Sequence, residues 1–137
     1  MAKAVKLAKS ETIALRGPGT YSFDIVGEAS YQQALEEICG GRTYRGASLV
    51  VEAVLEYESD NPYDDQAIRV AILGKTVGYL SRENARNYRA QMAQAGYVGS
   101  PTTCSARIVG GWNRGGHERG YFGVRLDLPT KSVSRNG

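Results

Sequence analysis

Apolar and polar side chains alternate cleanly along residues 48–57. Leu49, Val51, Ala53, Leu55 and Tyr57 fall on one side, and Glu52 and Glu56 on the other with Val50 and Val54 between them. A period of two predicts a long strand with one face on a core. The same pattern predicts strands over 21–26 (Tyr21, Phe23, Ile25 inward), 67–73 (Ile68, Val70, Ile72), 76–80, 103–112 (Cys104, Ala106, Ile108) and 121–128 (Phe122, Val124, Leu126, Leu128). The period changes in two places. Ser30 and Gln33 have capping-box spacing, Tyr31, Leu35 and Ile38 form a helical stripe, and Gly40-Gly41 supplies a stop. Ser81 caps a second helix reaching about residue 95, with Glu83 in its first turn, Ala85, Tyr88, Met92 and Ala95 as its buried stripe, and Gly96 at its end. Arg82, Arg86 and Arg89 share another face of that helix, at this spacing more often a solvated face than one that meets nucleic acid. Turns are expected at Asp60 to Asp64, at Gly74-Lys75, and through the glycine-rich stretch from Gly110 to Gly120. The order β-α-β-β-β-α-β-β, with no internal repeat, predicts an α+β fold that is mostly β: a six-stranded curled sheet or partly open barrel with two short helices.

Length changes this picture little. The 137 residues suit one domain, large enough to bury a core without disulfides or metal. Its expected division is a lead-in over 1–19, the domain proper over 20–129 and a loose tail over 130–137. Apolar and charged fractions are ordinary, so wholesale disorder is excluded. No run approaches the ~18 to 20 apolar residues of a membrane span. Lys3, Lys6 and Lys9 are not followed by the apolar stretch of a signal peptide, and a cytoplasmic protein is expected. Cys39 and Cys104 form neither a CxxC pair nor a disulfide framework, and are read as reduced, partly buried small hydrophobes.

Charge matters by its distribution. The net value is only +3. Every charge from Glu52 to Asp65 is acidic, whereas arginines dominate from Arg82 onward. A basic second half can hold a local phosphate-binding surface. Single-strand binding needs aromatic faces and cations together. The loop-borne candidates are Tyr44, Tyr63, Trp112 and Tyr121 for stacking, and Arg42, Arg45, Arg114 and Arg119 for phosphate.

Three phrases carry a family resemblance: Phe23-Asp24-Ile25-Val26-Gly27-Glu28 followed by Tyr31-Gln32-Gln33-Ala34-Leu35; Asn61-Pro62-Tyr63-Asp64 followed by Ala67-Ile68-Arg69-Val70; and Val77-Gly78-Tyr79-Leu80 followed by a helix holding Ala85. In this order they resemble the HIRAN domain family over about residues 21–128. The resemblance implies an OB-like fold and a non-catalytic module that recognises single-stranded DNA, at its 3′-hydroxyl end, in DNA repair or replication-fork processing. It makes Tyr63 and Asp64 the central positions. The tyrosine would contact the terminal nucleotide and the aspartate would accept from the free 3′-hydroxyl. The family's basic and aromatic pair before the long strand matches less closely: here Arg42 and Tyr44 are separated by Thr43. The implied partners are single-stranded DNA or DNA 3′ ends and a helicase or nuclease chain; no cofactor and no membrane are implied.

Plainer readings stand beside these. Asn61 to Asp64 are turn formers and can cap local backbone. A protein-interaction module binding a peptide or partner subunit is the alternative of a different class. Asp60, Asp64 and Asp65 could serve a metal-dependent nuclease, but their spacing fits no Ca²⁺ loop. His117 is the only histidine, so no two-histidine metal site is written here. The stretch from Gly110 to Gly120 lacks the Gly-Lys-Ser/Thr ending of a phosphate-binding loop.

Overall fold

The computed structural model describes residues 12–129. In chain order the elements are β1 (Ile13–Ala14), β2 (Phe23–Asp24), a 3₁₀ turn (Glu28–Tyr31) leading into α1 (Gln32–Cys39), β3 (Ala47–Glu58), β4 (Ala67–Ile72), β5 (Lys75–Tyr79), α2 (Arg82–Gln94), β6 (Thr102–Gly110) and β7 (Phe122–Asp127). The sheet order is β2-β7-β6-β3-β4-β5, antiparallel throughout, and β1 adds to β6 in parallel. The sheet curls until its two ends meet at one point. There the Val26 N–H donates to the Tyr79 carbonyl at 2.8 Å, and the Tyr79 N–H returns the bond at 2.9 Å. The fold is α+β, mostly β and OB-like, as the alternation of the sequence predicts.

Inward side chains fill the curl: Leu55 from β3, Ile68, Val70 and Ile72 from β4, Val77 from β5, Ile108 from β6, and Phe122, Val124 and Leu126 from β7. Leu35 of α1 and Ala85, Tyr88 and Met92 of α2 join the same core. Gly78 makes the closure possible, because a Cβ there would stand 2.6 Å from the Val26 carbonyl oxygen and 2.7 Å from Ile25.

Several expectations change. The lead-in is partly structural. Ile13 and Ala14 pair with Thr102 and Thr103, and the buried Asp127 carboxylate accepts from the N–H groups of Gly19 and Tyr21. Ser30 caps nothing. Left-handed Gly27 opens the 3₁₀ turn instead, and the helix starts at Gln32. The side chains of Gln32 and Glu28 are drawn to β7, where they satisfy the N–H groups of Phe122 and Val124 and the Phe122 carbonyl. The cap at Ser81 forms as expected, accepting from the Asn84 N–H at 3.2 Å, but Ala95 is exposed rather than buried. The β4–β5 turn is Leu73-Gly74, both at positive φ, one residue earlier than the sequence suggests. The expected tail over 130–137 lies outside the described residues. No helix among the described residues is long and apolar enough to cross a membrane.

β3 sets where the candidate residues lie. Its second half, Ala53 to Glu58, pairs with β4 on one side, while its first half, Ala47 to Glu52, pairs only with β6. The loops flanking its two ends carry the two groups of candidate residues.

Candidate functional site

Beyond the C-terminal end of β3, the Asn61 side chain builds the loop. Its carbonyl oxygen accepts from the Tyr63 N–H at 2.8 Å and the Asp64 N–H at 3.1 Å, while its amide donates to Glu58 at 2.8 Å. Glu58 also receives the Tyr79 hydroxyl at 2.8 Å and sits 3.9 Å from Arg69. The loop is thereby tied to β3, β4 and β5. Burial, then Glu58, pushes the Tyr79 phenol well above its usual range, so Tyr79 stays a neutral donor.

Tyr63 stands almost wholly in solvent, at 85% exposure. Asp64 turns the other way, and its side chain is only 12% exposed. One of its oxygens accepts from the Gln66 N–H at 3.0 Å and lies 3.5 Å from Arg86; the other lies 3.9 Å from Arg82. The Gln66 N–H first, and then the two guanidiniums, hold its carboxyl below the usual carboxylate range against the opposing effect of burial. Arg82 also donates to the Tyr63 carbonyl at 2.9 Å. Both arginines remain half exposed or more, at 68% and 50%. The geometry is an outward aromatic ring, a recessed carboxylate, and two cations beside it. The turn reading of Asn61 to Asp64 is correct for the backbone, and the same turn is what aims these groups.

The place of Arg82 and Arg86 beside Asp64 is not legible in the sequence. Their spacing identified a basic face, but nothing in the sequence says that the first turn of α2 lies against the loop after β3. Arg89, on the same face, does something else. It donates to the carbonyls of Gln66 and Ala67 at 2.7 and 2.9 Å and stacks 4.5 Å over Tyr57.

The remaining candidates gather beyond the N-terminal end of β3, against the β6–β7 hairpin. Thr43 bridges to Trp112, and its carbonyl accepts from the Asn113 N–H at 2.8 Å. The Arg114 guanidinium lies 4.5 Å from the Trp112 ring and 5.3 Å from the Tyr44 ring, and donates to the Tyr44 carbonyl at 3.2 Å. Gly120 packs so closely on Trp112 that a Cβ there would overlap the indole. Trp112 is therefore a buttress, with little free face for a base. Tyr44 and Tyr121 are open, at 68% and 71% exposure, and Arg45, Arg114 and Arg119 are exposed. Arg42 departs from expectation. Its side chain is 13% exposed, bonds Glu36 at 3.1 Å and the Gly120 carbonyl at 2.8 Å, and stacks 4.9 Å over Phe122. It fastens α1 to the hairpin and is not free to meet a phosphate.

The nine candidates thus form two groups, not one pocket: Tyr63 and Asp64 at one end of β3, the rest at the other. Between them runs a strand of twelve residues, roughly 36 Å long at the usual rise. Asp60, Asp64 and Asp65 do not converge, and among the described residues no three His, Cys, Asp or Glu side chains gather as a metal site would require. Cys104 is buried, which pushes its thiol up to about 12, and Cys39 is half-buried. No protein-family model, curated protein or solved structure compared with the chain matches it.

Proposed function

We propose that this chain is a non-catalytic, HIRAN-like module that binds the 3′-hydroxyl end of single-stranded DNA at Tyr63 and Asp64. Such a module would bring a helicase or nuclease partner to DNA under repair or at a replication fork. The observation that carries the reading is the recessed Asp64 carboxylate flanked by Arg82 and Arg86 under an outward Tyr63 ring. A carboxylate repels phosphate, so a DNA-facing aspartate is useful only where phosphate is absent, and a free 3′ terminus is such a place. The terminal hydroxyl would donate to the Asp64 oxygen nearer Arg82, the last internucleotide phosphate would lie on the two guanidiniums, and the terminal base would stack on Tyr63.

Asp64→Ala tests this. A hydrogen bond to a charged group contributes about 1.5–3 kcal/mol, so the variant should lose at least tenfold in affinity for a 3′-hydroxyl oligonucleotide and much less for a 3′-phosphate one. Equal losses on both would refute the end-binding role.

One observation favours a peptide-binding module instead. The first half of β3 leaves its outer edge unpaired among the described residues, with Leu49 and Val50 exposed, and such an edge can accept an extended peptide. Salt separates the two readings. Phosphate contacts make log K fall steeply with log salt, whereas strand addition changes little.

A further inference from the structure

We infer that the cluster beyond the N-terminal end of β3 is a second, end-independent contact for single-stranded nucleic acid, so that the module holds its ligand at two separated places. This rests on the nucleic-acid reading above but on different residues. Two exposed rings, Tyr44 and Tyr121, flank a hairpin that carries Arg114 and Arg119, with Arg45 beside them. None of these three arginines lies within ion-pair distance of a carboxylate among the described residues, whereas Arg42, Arg69, Arg82, Arg86 and Arg125 all do. Uncompensated guanidiniums beside open aromatic rings are the combination that single strands recognise, through phosphate attraction and base stacking.

The cluster is also built to hold that form. The Arg114 guanidinium sits against both Trp112 and Tyr44, and its bond to the Tyr44 carbonyl fixes the loop before β3. Gly120 lies close against Trp112, and Gly46 close against the Gly110 carbonyl, where side chains would collide. Thr43 closes the turn by accepting from the Gly46 N–H at 3.0 Å. The Tyr44 ring is therefore presented at a defined place, and little ordering entropy remains to be lost on stacking. The hairpin's own carboxylate, Glu118, is exposed and forms no ion pair with these arginines; it is not recessed between cations as Asp64 is, so the chemistry has no reason to prefer an end. A peptide would use the rings as well, but it offers three arginines without an ion pair nothing unless it is acidic, while a nucleic-acid strand supplies both partners at every nucleotide.

The test uses the intact chain, circular single-stranded DNA, which has no ends, and a four-nucleotide oligomer with a free 3′-hydroxyl, too short to span both places. The variant is Tyr44→Ala with Tyr121→Ala; both rings are exposed, and an unchanged thermal midpoint verifies the fold. The inference expects the wild type to bind the circle, the variant to bind it at least tenfold more weakly, and both to bind the tetramer within about twofold of each other. Unchanged binding of the circle by the variant overturns it, as does an equal loss on both ligands. A wild type that binds the tetramer but not the circle overturns it while leaving the end-binding proposal standing. A wild type that binds neither removes both.

Discussion

Asp64 is the residue on which the proposed end recognition turns, and its surroundings fix how it should respond to pH. The Gln66 N–H and the two guanidiniums depress its folded-state value. It therefore adds stability above its unfolded value of about 3.9, which is lost only as pH falls through the lower folded value. Between pH 5 and 8 it stays ionised. A 3′-phosphate does not stay constant there, because a phosphate monoester takes its second charge near pH 6. Discrimination against 3′-phosphate ends should accordingly strengthen as pH rises from 5 to 7.5, while affinity for 3′-hydroxyl ends changes little. Competition binding at the two pH values checks this, and a discrimination that weakens on raising the pH contradicts the assignment of Asp64. Among the thiols, Cys104 is buried and raised to about 12, so alkylation of the native protein at pH 8 should reach Cys39 first and Cys104 only on unfolding. Mass spectrometry after timed iodoacetamide treatment reads the order. The pairing of Tyr63 with Asp64 is legible as a sequence phrase. The place of Arg82 and Arg86 beside Asp64 is not, because the partners of a carboxylate depend on which loop meets which helix.

At the scale of elements, β3 and α2 could be read from the chain because their signals are long. Ten residues of alternation over 48–57, and Ser81 with Glu83 ahead of a helical stripe, leave few alternatives. β1 could not be read, since two residues carry no period and its place is set by β6 and by the Asp127 carboxylate. The start of α1 was misread because a glutamine at capping spacing is outcompeted when the neighbouring Gln32 and Glu28 find an unpaired strand edge in β7. Two turns make predictions. Leu73 sits at φ 51 with its side chain 75% exposed, so it suffers left-handed strain with little burial in return. Leu73→Asn should stabilise the protein by about 1 kcal/mol in chemical denaturation, since asparagine tolerates that conformation. A destabilised variant would mean that the leucine has a role the turn does not explain. Gly78→Ala should act oppositely. Its Cβ would strike the Val26 carbonyl where the curl closes, and a loss of about 1–3 kcal/mol is expected. A neutral result would show that the closure is dispensable.

For the whole molecule, the long strand is the measure of the site. Tyr44 and Tyr63 flank the same twelve residues of β3, so their separation was implicit in the sequence once the strand was recognised. Grouping them by residue type alone hid it. Under the proposed function, an almost neutral chain with net charge +3 would not attract nucleic acid as a body; it would do so where Arg45, Arg114 and Arg119 stand without an ion pair, beyond the start of β3, and where Asp64 leaves two arginines half exposed, beyond its end. Preference for an end, rather than affinity as such, is what this arrangement predicts most specifically. The direct measurement is fluorescence anisotropy of the wild-type chain with two oligonucleotides identical except for a 3′-hydroxyl or a 3′-phosphate, at low salt and pH 7.5. Binding at least tenfold tighter to the hydroxyl end is the predicted result; equal affinity, or a preference for the phosphate, would contradict recognition of the end by Asp64.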